Sequence, residues 1–169
     1  GVMIISRLIL KNWRNFAEID VELGERVFFV GPNASGKSNL LDVFRFLRDI
    51  AKPGGGLQTA VEDRGGLSKI RCLAARRHPD VEIEVYLSES SEEKPIWRYA
   101  IGIKQEARGH RRSILTYEKV WHHNAQILDR PDSNDTEDFP RLTETHLEQI
   151  TANVKFRDIS RFFESILYL

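Results

Sequence analysis

The sequence contains one cysteine, no long apolar run and no excess of either charge. Because Cys72 stands alone, it can form neither an internal disulfide nor a thiolate-based metal site, which favours a reducing compartment such as the cytoplasm. No apolar run approaches the roughly 20 residues of a membrane-spanning helix, so no membrane association is predicted. Lys and Arg number 25, as do Asp and Glu, so no overall basic field favours nucleic acid. What remains is a 169-residue chain, 41% apolar, long enough for one domain with a real core.

The first third of the chain predicts strands followed by a helix. Residues 3–10 are rich in apolar and β-branched types, and residues 16–23 alternate apolar with polar, as in a half-buried antiparallel strand. Residues 27–30 are continuously apolar, which is typical of a strand covered on both faces. From about residue 37 to residue 51, apolar positions recur with the period of an α-helix.

The rest of the chain predicts a sheet between loops and helices. Residues 52–70 hold five of the eleven glycines and predict a long mobile loop. Alternating segments over 81–121 predict an antiparallel meander, and the acidic, proline-containing residues 130–140 predict a loop. Helices are expected at about 143–152 and 156–169. The chain therefore divides into 1–51 (strands, glycine-bounded loop and first helix), 52–80 (mobile Gly/Arg loop), 81–130 (meander), 131–142 (flexible acidic loop) and 143–169 (helical segment).

One motif carries specific chemistry. Residues 31–38 match G-x-x-x-x-G-K-[ST] at every fixed position, between a buried strand and an amphipathic helix. Such a loop curls its backbone N–H groups inward as an anion nest, and the helix that follows adds its positive end. Lys37 is expected to reach the β- and γ-phosphates of ATP, and the Ser38 hydroxyl to ligate Mg²⁺. The predicted nucleotide-binding residues are Gly31, Pro32, Asn33, Ala34, Ser35, Gly36, Lys37, Ser38 and Asn39.

Residues 31–42 resemble the Walker A segment of the SMC/RecF/OLD-like ABC ATPases, a group that includes many bacterial predicted ATPases. Residues 10–16 are similar to the asparagine–aromatic–arginine strand end that opens those heads, and Arg64-Gly65-Gly66 resembles a glycine–arginine loop of some members. The resemblance implies an α/β P-loop NTPase of the ABC-head type, with a mixed sheet and an antiparallel meander. It also implies an ATP-dependent head-to-head homodimer, duties in DNA repair, DNA handling or anti-phage defence, and a contact between Arg14 and nucleotide phosphate or a nearby loop.

The chain departs from that family pattern in one large way. After Lys37 no run of four apolar residues precedes an Asp-Glu pair, and no Ser-Gly-Gly signature is present. The chain therefore resembles the N-terminal lobe only. Its expected partner is the C-terminal half of the same protein, and the chain alone is expected to hydrolyse little ATP. Two other interpretations stay open: a self-contained small P-loop GTPase or kinase, for which Asp63–Gly66 offers a weak D-x-x-G pattern, and an interaction module that binds nucleotide without hydrolysing it.

Weaker signals complete the set of candidates. The family's lobe-junction glutamine, which links Mg²⁺ and the attacking water to the helical lobe, is assigned to Gln149, with Gln105, Gln126 and Gln58 as alternatives. Adjacent His122 and His123 are expected to point to opposite sheet faces and share no metal. The carboxylates Glu82 and Glu118 are expected to be solvated. Two basic clusters could contact DNA phosphates: Lys69, Arg71, Arg76 and Arg77, and Arg108, His110, Arg111 and Arg112.

Overall fold

The computed structural model describes residues 3–23, 34–72 and 80–166, with the backbone alone for residues 34–37. The strand predicted at 27–30 lies outside these ranges, as does any parallel part of a mixed sheet built on it. The described elements are strands β1 (Ile4–Trp13), β2 (Phe16–Glu22), β3 (Val81–Ser88), β4 (Trp97–Gln105), β5 (Ser113–His122) and β6 (Ala125–Arg130), helices α1 (Ala34–Ala51), α2 (Leu57–Glu62), α3 (Leu67–Ile70), α4 (Ser133–Glu137) and α5 (Arg157–Glu164), and short 3₁₀ helices at Phe139–Thr143 and Val154–Phe156.

The six strands form one antiparallel sheet in the order β2-β1-β3-β4-β5-β6. Alternation along each strand decides which side chains are buried. In β1, Leu8 and Leu10 are fully buried, whereas Lys11 is exposed. Across the sheet Leu10 is opposite Ile83, which in turn is opposite Ile101, so one face carries a continuous apolar row. The antiparallel meander predicted from the period-two pattern is present.

The apolar face of the sheet shares one core with α1, α2, α3 and α5. Of the stripe predicted on α1, Val43, Phe44, Leu47 and Ala51 are buried and Leu40 is half-buried. Trp13 at the end of β1 packs against Phe46 of α1, with ring centroids 5.2 Å apart. No helix in the described ranges is long and apolar enough to cross a membrane.

The loop predicted over 52–70 is wrong, because two short helices lie there. Helix α2 buries Leu57, Ala60 and Val61, and α3 buries Leu67 and Ile70. Gly56 and Gly66 precede the two helices with φ values of 129° and 100°, a region that L side chains rarely adopt. These glycines mark the starts of helices that are fixed by apolar burial. Residues 73–79 lie outside the described ranges.

Two further segments differ from the sequence prediction. Within the predicted acidic loop, Asp132 and Asp135 form a reciprocal capping box that starts α4. The helix predicted at 143–152 is absent; a 3₁₀ helix ends at Thr143, and bends and turns follow it. Side chains satisfy the backbone there, since Asn153 and Ser160 both donate to the carbonyl of Leu147. Helix α5 is present but begins at Arg157 and ends at Glu164.

Candidate functional site

Helix α1 provides the part of the glycine-bounded motif that the structure describes. The helix begins at Ala34, has no acidic residue in its first turn, and leaves Ser38 exposed. Its first amides and its positive dipole end are therefore not neutralised by a carboxylate from that turn. Residues 31–33 of the motif, and the strand expected before them, lie outside the described residues. The roles predicted for the residues of the glycine-bounded loop stay predictions.

The turn between β1 and β2 lies against the first turns of α1. The Trp13 indole Nε1–H donates to the carbonyl of Asn39 at 2.8 Å, and the Asn39 amide donates to Asn15 Oδ1 at 2.9 Å. Trp13 is fully buried, so its hydrogen bond fixes the turn relative to the helix. The two segments that carry the family resemblance, residues 10–16 and 31–42, therefore meet in the fold.

Arg14 lies in this turn with a φ of 54°. Its backbone N–H donates to the carbonyl of Ile70 at 2.6 Å. Its guanidinium donates to Asp42 Oδ2 at 2.9 Å and to the carbonyl of Lys69 at 3.2 Å. Its Nε is buried, and no described atom accepts its hydrogen. The phosphate contact predicted for Arg14 stays a prediction, and the structure adds that Asp42 already holds this side chain.

Arg64 is the second cation on Asp42. It donates to both oxygens of Asp42, at 3.0 and 3.1 Å, and to Asp49 Oδ2 at 3.0 Å. Burial raises the pKa of the Asp42 carboxyl, but hydrogen bonds from Arg64 and Arg14 outweigh it and hold that pKa below its ordinary value. Asp42 therefore stays charged and ties α1 to two other segments.

Sequence reasoning recognised Arg64 within a family-like motif but missed its partner. The signal that could have found Asp42 is its position four residues after Ser38, which places both on one helix face. The D-x-x-G pattern of residues 63–66 has a structural role in this fold. Its arginine anchors α2 to α1, and its glycines turn the chain into α3.

The candidate glutamines have different surroundings. Gln149 is half-buried in a turn and donates to Glu144 Oε2 at 2.9 Å. Gln58 of α2 exchanges two hydrogen bonds with the Ser113 backbone and donates a third to the carbonyl of Thr143. These bonds occupy the Gln58 amide in joining α2 to β5. The lobe-junction role assigned to Gln149 stays a prediction.

The expectation that Glu118 is solvated is wrong. Glu118 is fully buried and accepts hydrogen bonds from the Tyr99 hydroxyl at 2.6 Å and the Arg130 guanidinium at 2.8 Å. Arg130 also makes two bonds to Asp135, at 3.0 Å each. Burial and the nearby Glu118 carboxylate raise the pKa of Tyr99 well above its ordinary value. This buried network joins β4, β5 and β6 to α4 and is a structural feature. Glu82, by contrast, is half-buried and accepts from the Tyr117 hydroxyl.

Within the ranges that the structure describes, the remaining sequence signals give no second site. The expectation that adjacent histidines point to opposite faces is wrong, because His123 has a φ of 56° and its ring stacks on that of His122 at 4.5 Å. The structure nevertheless offers no group of three His, Cys, Asp or Glu side chains that could hold a metal within its described residues. In the basic clusters, Arg112 is paired with Glu106, whereas Arg76 and Arg77 lie outside those ranges.

A family model connects this arrangement to known proteins. The model described as "AAA domain, putative AbiEii toxin, Type IV TA system" matches residues 26–168. The chain belongs to this family. The match covers the glycine-bounded motif, α1 and strands β3 to β6, so it includes Asp42 and Arg64, whereas β1, β2 and the turn that carries Arg14 precede it.

This AAA domain is also similar to curated proteins named DNA replication and repair protein RecF. The protein of Brucella abortus is 38% identical over 87 residues, covering 47% of this chain and 22% of the relative. That of Synechocystis is 32% identical over 90 residues, covering 52% and 23%. That of Agrobacterium fabrum is 47% identical over 58 residues, covering 34% and 14%. The resemblance to SMC/RecF-like ABC-type ATPases is confirmed, and the chain spans less than a quarter of the length of these three relatives.

Proposed function

We propose that this chain is the ATP- and Mg²⁺-binding lobe of an SMC/RecF-like ATPase of the ABC-head type. The observation that carries the proposal is the docking of the β1–β2 turn on α1, directly after the complete G-x-x-x-x-G-K-[ST] motif. This contact brings Arg14 alongside the helix whose positive end lies within the motif. Anionic phosphate is the ligand that such an arrangement attracts.

The chemistry of the residues present fits the nucleotide and its metal. Lys37 would supply a positive charge for the β- and γ-phosphates, and the backbone N–H groups of residues 31–39 other than Pro32 would cradle them. Ser38 is exposed and offers one hard oxygen ligand for Mg²⁺, which takes its other ligands from phosphate and water. Bound Mg²⁺ neutralises charge that develops on the transferred phosphoryl group. Gln149 would connect this site to a second lobe.

Hydrolysis belongs to the complete protein in this proposal. The motif residues hold the ground state, and binding substrate and transition state equally does not accelerate chemistry. A C-terminal half with Walker B and signature motifs, and an ATP-dependent head-to-head homodimer, supply the missing groups. The relatives' printed names support a role in DNA repair or handling, as part of a cytoplasmic protein.

The test is steady-state turnover of ATP·Mg²⁺ by the 169-residue chain, alone and with the C-terminal half of the parent protein. The chain alone is expected to turn over near background, because trans-supplied charge is worth ~10³–10⁵ in rate for related phosphoryl transfers. Addition of the second half is expected to restore turnover, and Lys37→Ala to abolish it. A steady rate of about 1 s⁻¹ from the isolated chain, lost in Lys37→Ala, would favour a self-contained NTPase instead.

A further inference from the structure

Asp42 binds two arginines that are held with unequal strength. Arg64 contacts both carboxylate oxygens, bonds Asp49 and the carbonyl of Ala60 as well, and its side chain is 10% exposed. Arg14 contributes a single bond to Asp42, and its side chain is 25% exposed. Asp42 would therefore keep a bidentate partner if Arg14 left it, so removal of Arg14 would not strand a charged carboxylate.

The position of Arg14 leaves its side chain incompletely satisfied. Its Nε–H is buried without an acceptor among the described residues, although burying an unpaired donor is costly. Its backbone, by contrast, is fixed by the bond to the Ile70 carbonyl. Because the backbone is anchored, Arg14 can move only by rotation of its side chain. A new acceptor near the side chain would satisfy the unpaired Nε–H.

The place to which Arg14 could rotate follows from the geometry of α1. Asp42 lies four residues, or one helical turn, after Ser38 on the same face, and four residues rise by about 6 Å. The predicted Mg²⁺ and phosphates belong at the level of Ser38. The carboxylate that holds the guanidinium therefore lies about one helical turn from the level of Ser38, on the same face of α1.

We infer that Asp42 holds Arg14 until ATP binds, and that Arg64 neutralises Asp42 once Arg14 moves to the phosphates. The inference rests on the proposed function, because it needs a phosphate ligand near Ser38. It makes Asp42 a competitor of the nucleotide for Arg14. Arg64 is then a positioning residue, which acts through Asp42 and touches neither nucleotide nor metal.

The test is the affinity of the 169-residue chain for a fluorescent ATP analogue with Mg²⁺, measured by titration. Asp42→Asn removes the charged partner of Arg14 and leaves the guanidinium only its hydrogen bond to the Lys69 carbonyl, so it is expected to tighten binding about three- to tenfold. Asp49→Asn is the matched control, because it removes a partner of Arg64 but none of Arg14, and it should leave the affinity unchanged. A merely structural role for Asp42 would weaken binding.

Two further variants make the test specific to Arg14. In an Arg14→Ala background, Asp42→Asn should have no effect on affinity. Arg64→Lys should weaken binding, because a lysine loses the bidentate contact and Asp42 then depends on Arg14. This variant also carries the test if Asp42→Asn does not fold. Unchanged or weaker binding by a folded Asp42→Asn chain, or tightening that persists without Arg14, would overturn the inference.

The outcome also separates this inference from the proposed function. If the unmutated chain shows no nucleotide binding that Lys37→Ala reduces, the proposed function fails and the role of Asp42 fails with it. If binding is sensitive to Lys37→Ala but indifferent to Asp42→Asn and to Arg64→Lys, only the holding role of Asp42 is contradicted.

Discussion

Two arginines are buried beside carboxylates. The side chain of Arg130 is 1% exposed and pairs with Glu118 and Asp135, and that of Arg64 is 10% exposed and pairs with Asp42 and Asp49. Arg130 uses all five of its N–H groups on Glu118, Asp135 and two backbone carbonyls. Such a cluster adds little net stability when complete, because desolvation offsets attraction. Its energetic importance lies in what happens when one member is removed.

Replacement of Arg130 by Met is expected to lower the free energy of unfolding by about 3–5 kcal/mol, because Glu118 would remain buried without its counter-charge and Asp135 would keep only Arg141. The measurement is urea denaturation at neutral pH. Arg7→Met is the control, since Arg7 forms its ion pair with Asp20 in a largely exposed setting and should change stability little. A loss for Arg130→Met no larger than for Arg7→Met would contradict the structural role of the network.

Residue identities predict some roles and leave others hidden. The roles predicted for Lys37 and Ser38 rest on the fixed spacing of the motif and stay predictions. Glu118 was misjudged because strand alternation gives the face of a residue but not what covers that face. Its partners Arg130 and Asp135 come from β6 and α4, and only tertiary packing brings those elements over it. The ion pairs of Arg14 and Arg64 with Asp42 could not be predicted either, because they too depend on tertiary packing.

At the scale of elements, hydrophobic period predicted β1, β2, α1 and the meander, since each is long enough to repeat its pattern. Helices α2 and α3 have six and four residues, too few for a clear period, and the glycines beside them suggested a loop. Their formation depends on contacts distant in sequence. Glu148 Oε1, for example, accepts from the Leu57 N–H at the start of α2.

Gly56→Ala tests that start of α2. At a φ of 129° any residue with a side chain is strained. An added Cβ would also lie 2.4 Å from Glu148 Oε2 and would displace the carboxylate that accepts from the Leu57 N–H. We expect a loss of about 2–4 kcal/mol in unfolding free energy, measured by chemical denaturation. Gly54→Ala is the matched control: its φ is 76° with nothing within 4 Å of the added Cβ, so backbone strain of about 1 kcal/mol is its only cost. Equal losses in the two variants would contradict a role for Glu148 as the cap.

At the scale of the whole molecule, the sheet and its helices form a platform that presents α1. Trp13 and Asn15 fix the β1–β2 turn on one part of that helix, and Arg64 fixes α2 on another. These contacts, at Asn39, Asp42 and Asp49, hold the body of α1 in place, and such a fixed helix would be preorganised for the proposed phosphate ligand. The α/β fold class and the candidate ligand were predictable from the motif and from the apolar–polar alternation of the strands. The contacts of Trp13, Asn15 and Arg64 with α1 were not.

The central claim, that ATP·Mg²⁺ binds at the start of α1, is tested most directly by calorimetric titration of the 169-residue chain and its Lys37→Ala variant. Removal of a charge-assisted contact to phosphate should cost about 1.5–3 kcal/mol, or roughly a 10- to 100-fold loss of affinity. Lys52→Ala is the control, since Lys52 follows the opposite end of α1 and should leave binding unchanged. Saturable binding weakened only by Lys37→Ala is the predicted result, and equal affinity of the unmutated and Lys37→Ala chains would contradict the account.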